Sequence, residues 1–349
     1  MKFLNKETLS AFFAKIAEKE ALYLPQKQEN GKAAYKEWRE GAEYARNLNT
    51  VRSAKDFFFP QTENLMDFKM EGKNITIEDT RKECEDFVLF GVRACDARSF
   101  DILDSVYLAN PVDTYYQNRR SHGTVITVAC TRPGESCFCH VFGIDATAPQ
   151  GDLTAYLTAE NLYLNANTKK GESLLAVIGN AGGAIENAQN ADEKTLASEQ
   201  KQAKERFEKL PFAHLDLTPF KADMKETFGD EKWQKLSQGC LGCGACTFVC
   251  PTCQCFDIRD FKAKDGVIRF RCWDSCMYSD FTQMAGGNPR TTQTQRFRQR
   301  FMHKLVYYPK RYGGTYSCVG CGRCVEKCPQ HLNIVKVIKE FANDGKEGE

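Results

Sequence analysis

The chain has no apolar stretch approaching the ~20 residues that a membrane-spanning helix requires. Its opening segment, MKFLNKETLSAFFAKIAEKE, interleaves charges with apolar residues and has no continuous apolar core, so it does not read as a secretory signal. Neither sign of charge is in excess. The 48 Lys and Arg against 46 Asp and Glu leave a net charge of +2, which gives no bulk attraction to nucleic acid or to an acidic membrane. There is no Walker loop, no HExxH and no pairing of a nucleophile with a base. The glycine-rich GNAGGA, residues 179–184, lacks the G-x-G-x-x-G spacing and reads as a turn into a linker, not as a flavin or nucleotide loop. Low-complexity tracts are absent as well. A length of 349 residues with 42% hydrophobic composition suits two or three domains with a sizeable core.

What the chain does have is cysteine, 17 in all, an odd number. Most stand at ligand-like spacings that an oxidising compartment would scramble, so the expected location is the cytoplasm. Two runs repeat one pattern. Cys240, Cys243, Cys246 and Cys250 precede Pro251, and Cys318, Cys321, Cys324 and Cys328 precede Pro329. Both read C-x2-C-x2-C-x3-C-P, the run that holds 4Fe–4S clusters in bacterial-type ferredoxins, where the fourth cysteine crosses to the other cluster. One cluster is therefore expected on Cys240, Cys243, Cys246 and Cys328, and a second on Cys318, Cys321, Cys324 and Cys250. Gly242, Gly244, Gly320 and Gly322 leave room for backbone close to sulfur and permit positive φ. The following proline turns the chain away and has no N–H to satisfy. Paired zinc knuckles would leave the x3-C-P tail unexplained.

A second constellation lies upstream. VLFGV (88–92) and TVITVAC (124–130) read as buried strands. Cys95 follows the first, Cys130 ends the second, and Cys137 and Cys139 follow in the loop GESCFC. Loops at one end of an α/β sheet converge, so these four predict a third 4Fe–4S cluster if the strands pair side by side. The competing reading is four separate core cysteines. Asp96 is an alternative ligand to one thiolate, and His140 reads as a surface histidine or as one beside the ligands.

The expected fold class is α+β: an N-terminal α/β domain followed by a bacterial-type two-cluster ferredoxin-like domain with a long insertion. Residues 1–185 form the first domain, opening on a helix with Leu9, Phe12, Phe13, Ile16 and Ala17 on one face, and with a hairpin expected between Tyr156 and Asn165. Residues 186–236 read as a solvated helical linker, and 237–349 as the cluster domain with its insertion at 256–316. The terminal NIVKVIKEFA is an amphipathic helix suited to capping the cluster module.

Cys253, Cys255 and Cys276 surround the first run and read either as a further ligand set, with Cys272 as its fourth member, or as a weakly donating shell. Cys84 has no companion. Arg290–Gly314 contains seven Lys or Arg and no acidic residue. Such a stretch suits RNA, docking of an acidic partner, a solvated helix face, or stabilisation of an anionic cluster. Trp273, Tyr278, Phe281 and Met284 are expected as packing over a cluster.

Taken in order, VLFGVRACDARSFDILDSVYL, AC with CFC, CPTCQCFD, WDSCM and CVGCGRCVEKCP resemble the A subunit of anaerobic sulfite reductase, and equally the β (electron-transfer) subunit of cytoplasmic NiFe sulfhydrogenases. The likeness runs from about Phe57 to Pro329 and covers Cys95, Cys130, Cys137, Cys139, Cys253 and Cys255 residue by residue. It implies an iron–sulfur subunit of a soluble multisubunit oxidoreductase. Such a subunit relays electrons between a flavin- and NAD(P)-binding subunit and a catalytic subunit or ferredoxin, with no catalytic residue of its own. The alternative is a self-contained enzyme with a catalytic metal at the N-terminal cysteine site; an iron–sulfur sensor is a third reading.

Overall fold

The structure is a computed structural model that describes residues 1–46, 49–179, 186–187, 190–264 and 266–343. Its strands in chain order are β1 (Lys2–Asn5), β2 (Ala21–Lys27), β3 (Ala33–Glu37), β4 (Thr62–Glu71), β5 (Asn74–Asp79), β6 (Phe87–Val92), β7 (Gly123–Val128), β8 (Leu153–Leu157), β9 (Asn161–Ala166), β10 (Glu186–Asn187), β11 (Phe256–Ala263) and β12 (Gly266–Trp273). The first sheet runs β10-β1-β9-β8-β7-β6-β2-β3. Its centre, β2, β6, β7 and β8, is parallel, and the flanking strands are antiparallel.

The continuous apolar runs of β6 and β7 follow from cover on both faces. On one face Val88, Phe90, Ile126 and Val128 meet Phe12, Phe13 and Ile16 of the helix Leu9–Ala17. On the other, Phe87, Leu89, Val92 and Val125 meet Phe58, Phe100 and Leu103. Each of these fully buried side chains contributes about 2 kcal/mol. The hairpin expected near Tyr156 is formed by β8 and β9.

A second sheet, β11-β12-β4-β5, joins two hairpins distant in sequence, one from the N-terminal half and one from the stretch read as an insertion. The buried Arg271 of β12 fixes this junction by donating to Glu63 at 2.6 Å and pairing with Asp113.

Helices complete the cluster region. Thr292 and Gln295 form a reciprocal cap on the helix Gln293–Met302, which continues through a π turn, His303–Tyr307, into Tyr308–Arg311. Phe297, Phe301 and Leu305 pack with Trp233 and with Val335, Ile338 and Phe341 of the terminal helix Ile334–Ala342. The linker helix forms over Asn190–Glu208, and Leu196, Ala203 and Phe207 bury one of its faces. The helix expected to be solvated is thus packed along one stripe. The glycine-rich turn at 179–184 lies, after Gly179, outside the described residues. Among the described residues no helix is long and apolar enough to cross a membrane.

Candidate metal centres

Each ferredoxin-type run is a loop that turns on left-handed glycines and ends in a short helix. Gly242 and Gly244 have φ of 66° and 72°, and Gly320 and Gly322 have 57° and 77°. Gly244 and Gly322 stand as the N-caps of the helices Ala245–Phe248 and Arg323–Lys327. All the cysteines named here are free thiols.

The structure brings Cys328 of the second run to the first. Cys240, Cys243, Cys246 and Cys328 line one cavity, walled by Phe297, Arg300 and Phe301. Conversely, Cys250 of the first run stands with the second. Burial pushes the Cys318 thiol up to about 12, with Cys324 and Cys250 adding to it, and burial, again with Cys250 adding, pushes up Cys321 and Cys324. Burial likewise holds Cys246 at about 11. The thiols pushed up in this way, unlike Cys250, which is held well below its ordinary value, stay protonated until a cation compensates their charge, and iron would supply that charge.

Two buried cations face these sulfurs from successive turns of one helix. Arg300 lies against Cys246 and Cys324, and its Nε has no hydrogen-bond partner. Lys304, in the π turn, donates to Thr252 Oγ1 at 2.8 Å and Ser317 O at 3.1 Å. Burial disfavours both charges, yet negative charge on the sulfurs outweighs it: Cys246 and Cys324, once ionised, hold Arg300 above its ordinary value, as Cys250, Cys253 and Cys318 do Lys304. A buried guanidinium with an unpaired N–H requires a nearby anion, and a thiolate-ligated cluster fits that requirement. The basic stretch therefore places Arg300 and Lys304 inward, while Arg298 stacks 3.5 Å over Phe228.

The N-terminal constellation also converges. β6 and β7 pair in parallel, so the chain leaves both on the same side. Cys95, Cys130, Cys137 and Cys139 line a cavity of about 290 Å³, and Cys321 of the second run forms part of its wall. Arg93 Nη1 lies 2.9 Å from Cys130 Sγ. Burial and Cys130 push Cys137 up to about 11. The loop bearing Cys137 and Cys139 sits directly on the second run: Phe138 N–H donates to Gly320 O at 2.8 Å and Ser136 Oγ to Glu326 at 2.6 Å. A Cβ on Gly320 would stand 2.4 Å from Phe138 O, and one on Gly322 2.4 Å from Ser136 Oγ. These glycines thus serve the contact between the two sites as well as the turn.

Other candidate residues take places away from the cysteine sets or beside them. Asp96 is not directed at the cavity as a ligand; it is paired with Arg323. The ring of His140 packs on Phe207, and its Nε2 lies 3.1 Å from Ala213 O. Cys272 faces Asp257 and Arg259 across the hairpin, away from Cys253, Cys255 and Cys276. Trp273 is buried, but Tyr278 is 37% and Met284 60% exposed, so the helical spacing there does not produce a common core face.

Lys55 carries no sequence signal for the role it takes. It is buried 3.5 Å over the Trp273 ring and donates to Cys250 O and Cys253 O at 3.1 and 2.9 Å. Burial pushes it down to about 8, against the pull of Cys253 and Cys250. Among the described residues no three His, Cys, Asp or Glu side chains converge on a single ion. Two of the thiol sets, that of Cys95, Cys130, Cys137 and Cys139 and that of Cys240, Cys243, Cys246 and Cys328, each line a cavity.

Residues 239–332 match a family model described as a 4Fe-4S dicluster domain. Sulfhydrogenase 2 subunit beta of Pyrococcus furiosus is 31% identical over 342 residues, which cover 97% of each chain. No solved structure matches. Identity at that level over nearly the whole of both chains shows that this chain belongs to the sulfhydrogenase beta subunit family.

Proposed function

We propose that the chain is the iron–sulfur relay of a multisubunit oxidoreductase of hydrogenase type. In this reading it stands in the cytoplasm between a flavin- and NAD(P)-binding subunit and a catalytic subunit or ferredoxin. Three 4Fe–4S clusters are assigned: one to Cys240, Cys243, Cys246 and Cys328, one to Cys318, Cys321, Cys324 and Cys250, and one to Cys95, Cys130, Cys137 and Cys139. Bound clusters of this kind accept and donate single electrons, which lets the chain serve both a two-electron flavin and one-electron carriers.

The observation that carries the reading is the position of Cys321. It belongs to the second run, beside Cys250 and Cys324, and also walls the N-terminal cavity. The three thiol sets are therefore contiguous, in the order N-terminal site, second run, first run. At the far end Cys243 is exposed next to Leu241, itself 65% exposed, which offers a surface for electron exit or entry. Arg93, Arg300 and Lys304 offset negative charge along the line, and Phe297 and Phe301 keep water from its inner side.

An anaerobic iron and sulfide count tests the cofactor set, with about twelve irons per chain expected. The relay role is tested by copurification from the host and by assay of the isolated chain with NAD(P)H. A flavoprotein and a catalytic subunit should accompany it, and the chain alone should turn over nothing. Turnover by the chain without partners would overturn the relay in favour of a self-contained enzyme.

A further inference from the structure

Besides the cations Arg300 and Lys304, three side chains bring a donor to a sulfur of the assigned sets, one in each set. Arg93 Nη1 donates to Cys130 Sγ at 2.9 Å, and its Nη2 donates to Arg46 O at 2.6 Å. Arg46 is itself tied to the end of β8, where its guanidinium donates to Leu157 O and to Thr158 O. Thr252, the threonine of CPTC, holds its Oγ1 3.3 Å from Cys250 Sγ. Gln293 Nε2 donates to Cys240 Sγ at 3.4 Å. Two of these donors are oriented by cations that can only donate. Arg296 Nη2 donates to Gln293 Oε1 at 3.0 Å, so the amide turns its nitrogen, not its oxygen, to the sulfur. Gly242 makes room for that amide, since a Cβ there would stand 3.2 Å from Gln293 Oε1. Lys304 Nζ donates to Thr252 Oγ1 at 2.8 Å, which leaves the hydroxyl proton for Ser317 O, at 2.8 Å, or for Cys250. Lys304 also donates to Ser317 O at 3.1 Å, so this carbonyl keeps a partner when the proton turns to sulfur. Thr252, Ser317 and Lys304 are all buried, away from competing water.

We propose that Arg93, Thr252 and Gln293 set the reduction potentials of the three clusters one by one, each by donating a hydrogen bond to a single ligand sulfur. This rests on the cluster assignment made under the proposed function. A reduced cluster carries one more negative charge, shared in part by its ligand sulfurs. A donor on sulfur is therefore held more tightly in the reduced state, and it raises the potential. The three donors differ in kind. Arg93 brings a full charge, and charge-assisted hydrogen bonds are about twice as strong as neutral ones. Gln293 brings a neutral amide whose direction Arg296 fixes in advance. Thr252 brings a rotor. Its proton rests on Ser317 O, and added charge on Cys250 draws it to the sulfur. The inner cluster of the line is thus served by a donor that answers its charge, and the two end clusters by donors already in place.

The test uses the whole chain, reduced stepwise under anaerobic conditions with dye mediators and followed by low-temperature EPR, with iron counted in every variant. R93M should lower the reduction equilibrium constant of the cluster at Cys130 by about tenfold, which is about 59 mV for one electron. T252V and Q293L should lower those of the clusters at Cys250 and Cys240 by about threefold each, as neutral donors of about half the strength. Each variant should leave the other two potentials in place. R93K and T252S, which keep a donor of the same kind, should restore most of the wild-type value. R93Q keeps a neutral donor and should give about a threefold drop, and it replaces R93M if that variant loses iron. In D2O, pulsed EPR of the reduced chain should show an exchangeable deuteron coupling at the cluster of Cys250 that T252V loses and T252S keeps. Full iron with unmoved potentials in these variants would overturn the proposal and leave the cluster assignment standing. A wild type short of about four irons would instead refute the assignment, and with it the role of the donor at that set.

Discussion

Arg323 and Asp96 form a buried ion pair, with Nη2 2.8 Å from Oδ2 and the two side chains 2% and 1% exposed. Arg323 follows Cys321 by two residues, and Asp96 is next to Cys95. Arg323 Nε also donates to Thr50 O at 2.8 Å. This one guanidinium therefore fastens the second cysteine run onto the N-terminal site. Removing one partner of such a pair leaves an uncompensated buried charge, which costs about 3–5 kcal/mol. D96L should thus lower thermal stability by that order, while D96L combined with R323M should recover most of it. Anaerobic thermal scans of the single and double variants check this.

Crossed ligation predicts that variants far apart in sequence share one spectral phenotype. C328S and C240S should perturb the same cluster signal in low-temperature EPR, and C250S should perturb the signal lost in C318S. The double variant C137S/C139S should lower the iron count by about four per chain and leave both of those signals in place. An unchanged count would remove the third cluster.

Arg300 and Lys304 place positive charge beside Cys246, Cys324, Cys250 and Cys318, which on the proposed ligation stabilises added electrons. R300Q should make the potential of the cluster at Cys246 more negative, and K304M should do so for the one at Cys318. A loss of about 1.4 kcal/mol corresponds to about 59 mV for a one-electron couple, and a buried charge at this range should give at least that. Redox titration followed by EPR measures the shift.

Burial, with Lys304 and Arg290 adding like charge, pushes the His303 imidazole down to about 4. In the unfolded chain it titrates near its ordinary value of about 6.5. Between these values the unfolded state binds the extra proton, so stability falls as pH drops through about 6.5, until the folded imidazole also protonates near 4. At about pH 5 the loss should be roughly 2 kcal/mol. H303Q should lack this component, so the gap in apparent Tm between the wild type and H303Q should change between about pH 7 and about pH 5.

Much of the chemistry is local and was therefore readable in order along the chain. The spacing within each run places three thiols on one glycine turn, whatever surrounds it. The full apolar runs around Val88 and Val125 marked strands buried on both faces. Their parallel pairing then carried Cys95 and Cys130 to one edge. Amphipathic spacing likewise marked Leu9–Ala17 and Ile334–Ala342, because burying one helix face requires it.

What needs long-range contact was not readable. Lys55 looks like any exposed lysine until Trp273 and two carbonyls close over it, and Asp96 resembled a ligand until Arg323 was seen to claim it. The joining of β4 to β12 depends on edge strands meeting across the fold, and backbone hydrogen bonds leave no mark on side-chain patterns. The sequence by itself determined which cysteines stand at ligand spacing, because that spacing is a property of single turns. Only the tertiary structure decided that Cys321 walls the N-terminal cavity and that Arg300 and Lys304 lie against sulfur. Charge placement and adjacency between distant segments arise from packing, which desolvates these groups and leaves them no partners but one another.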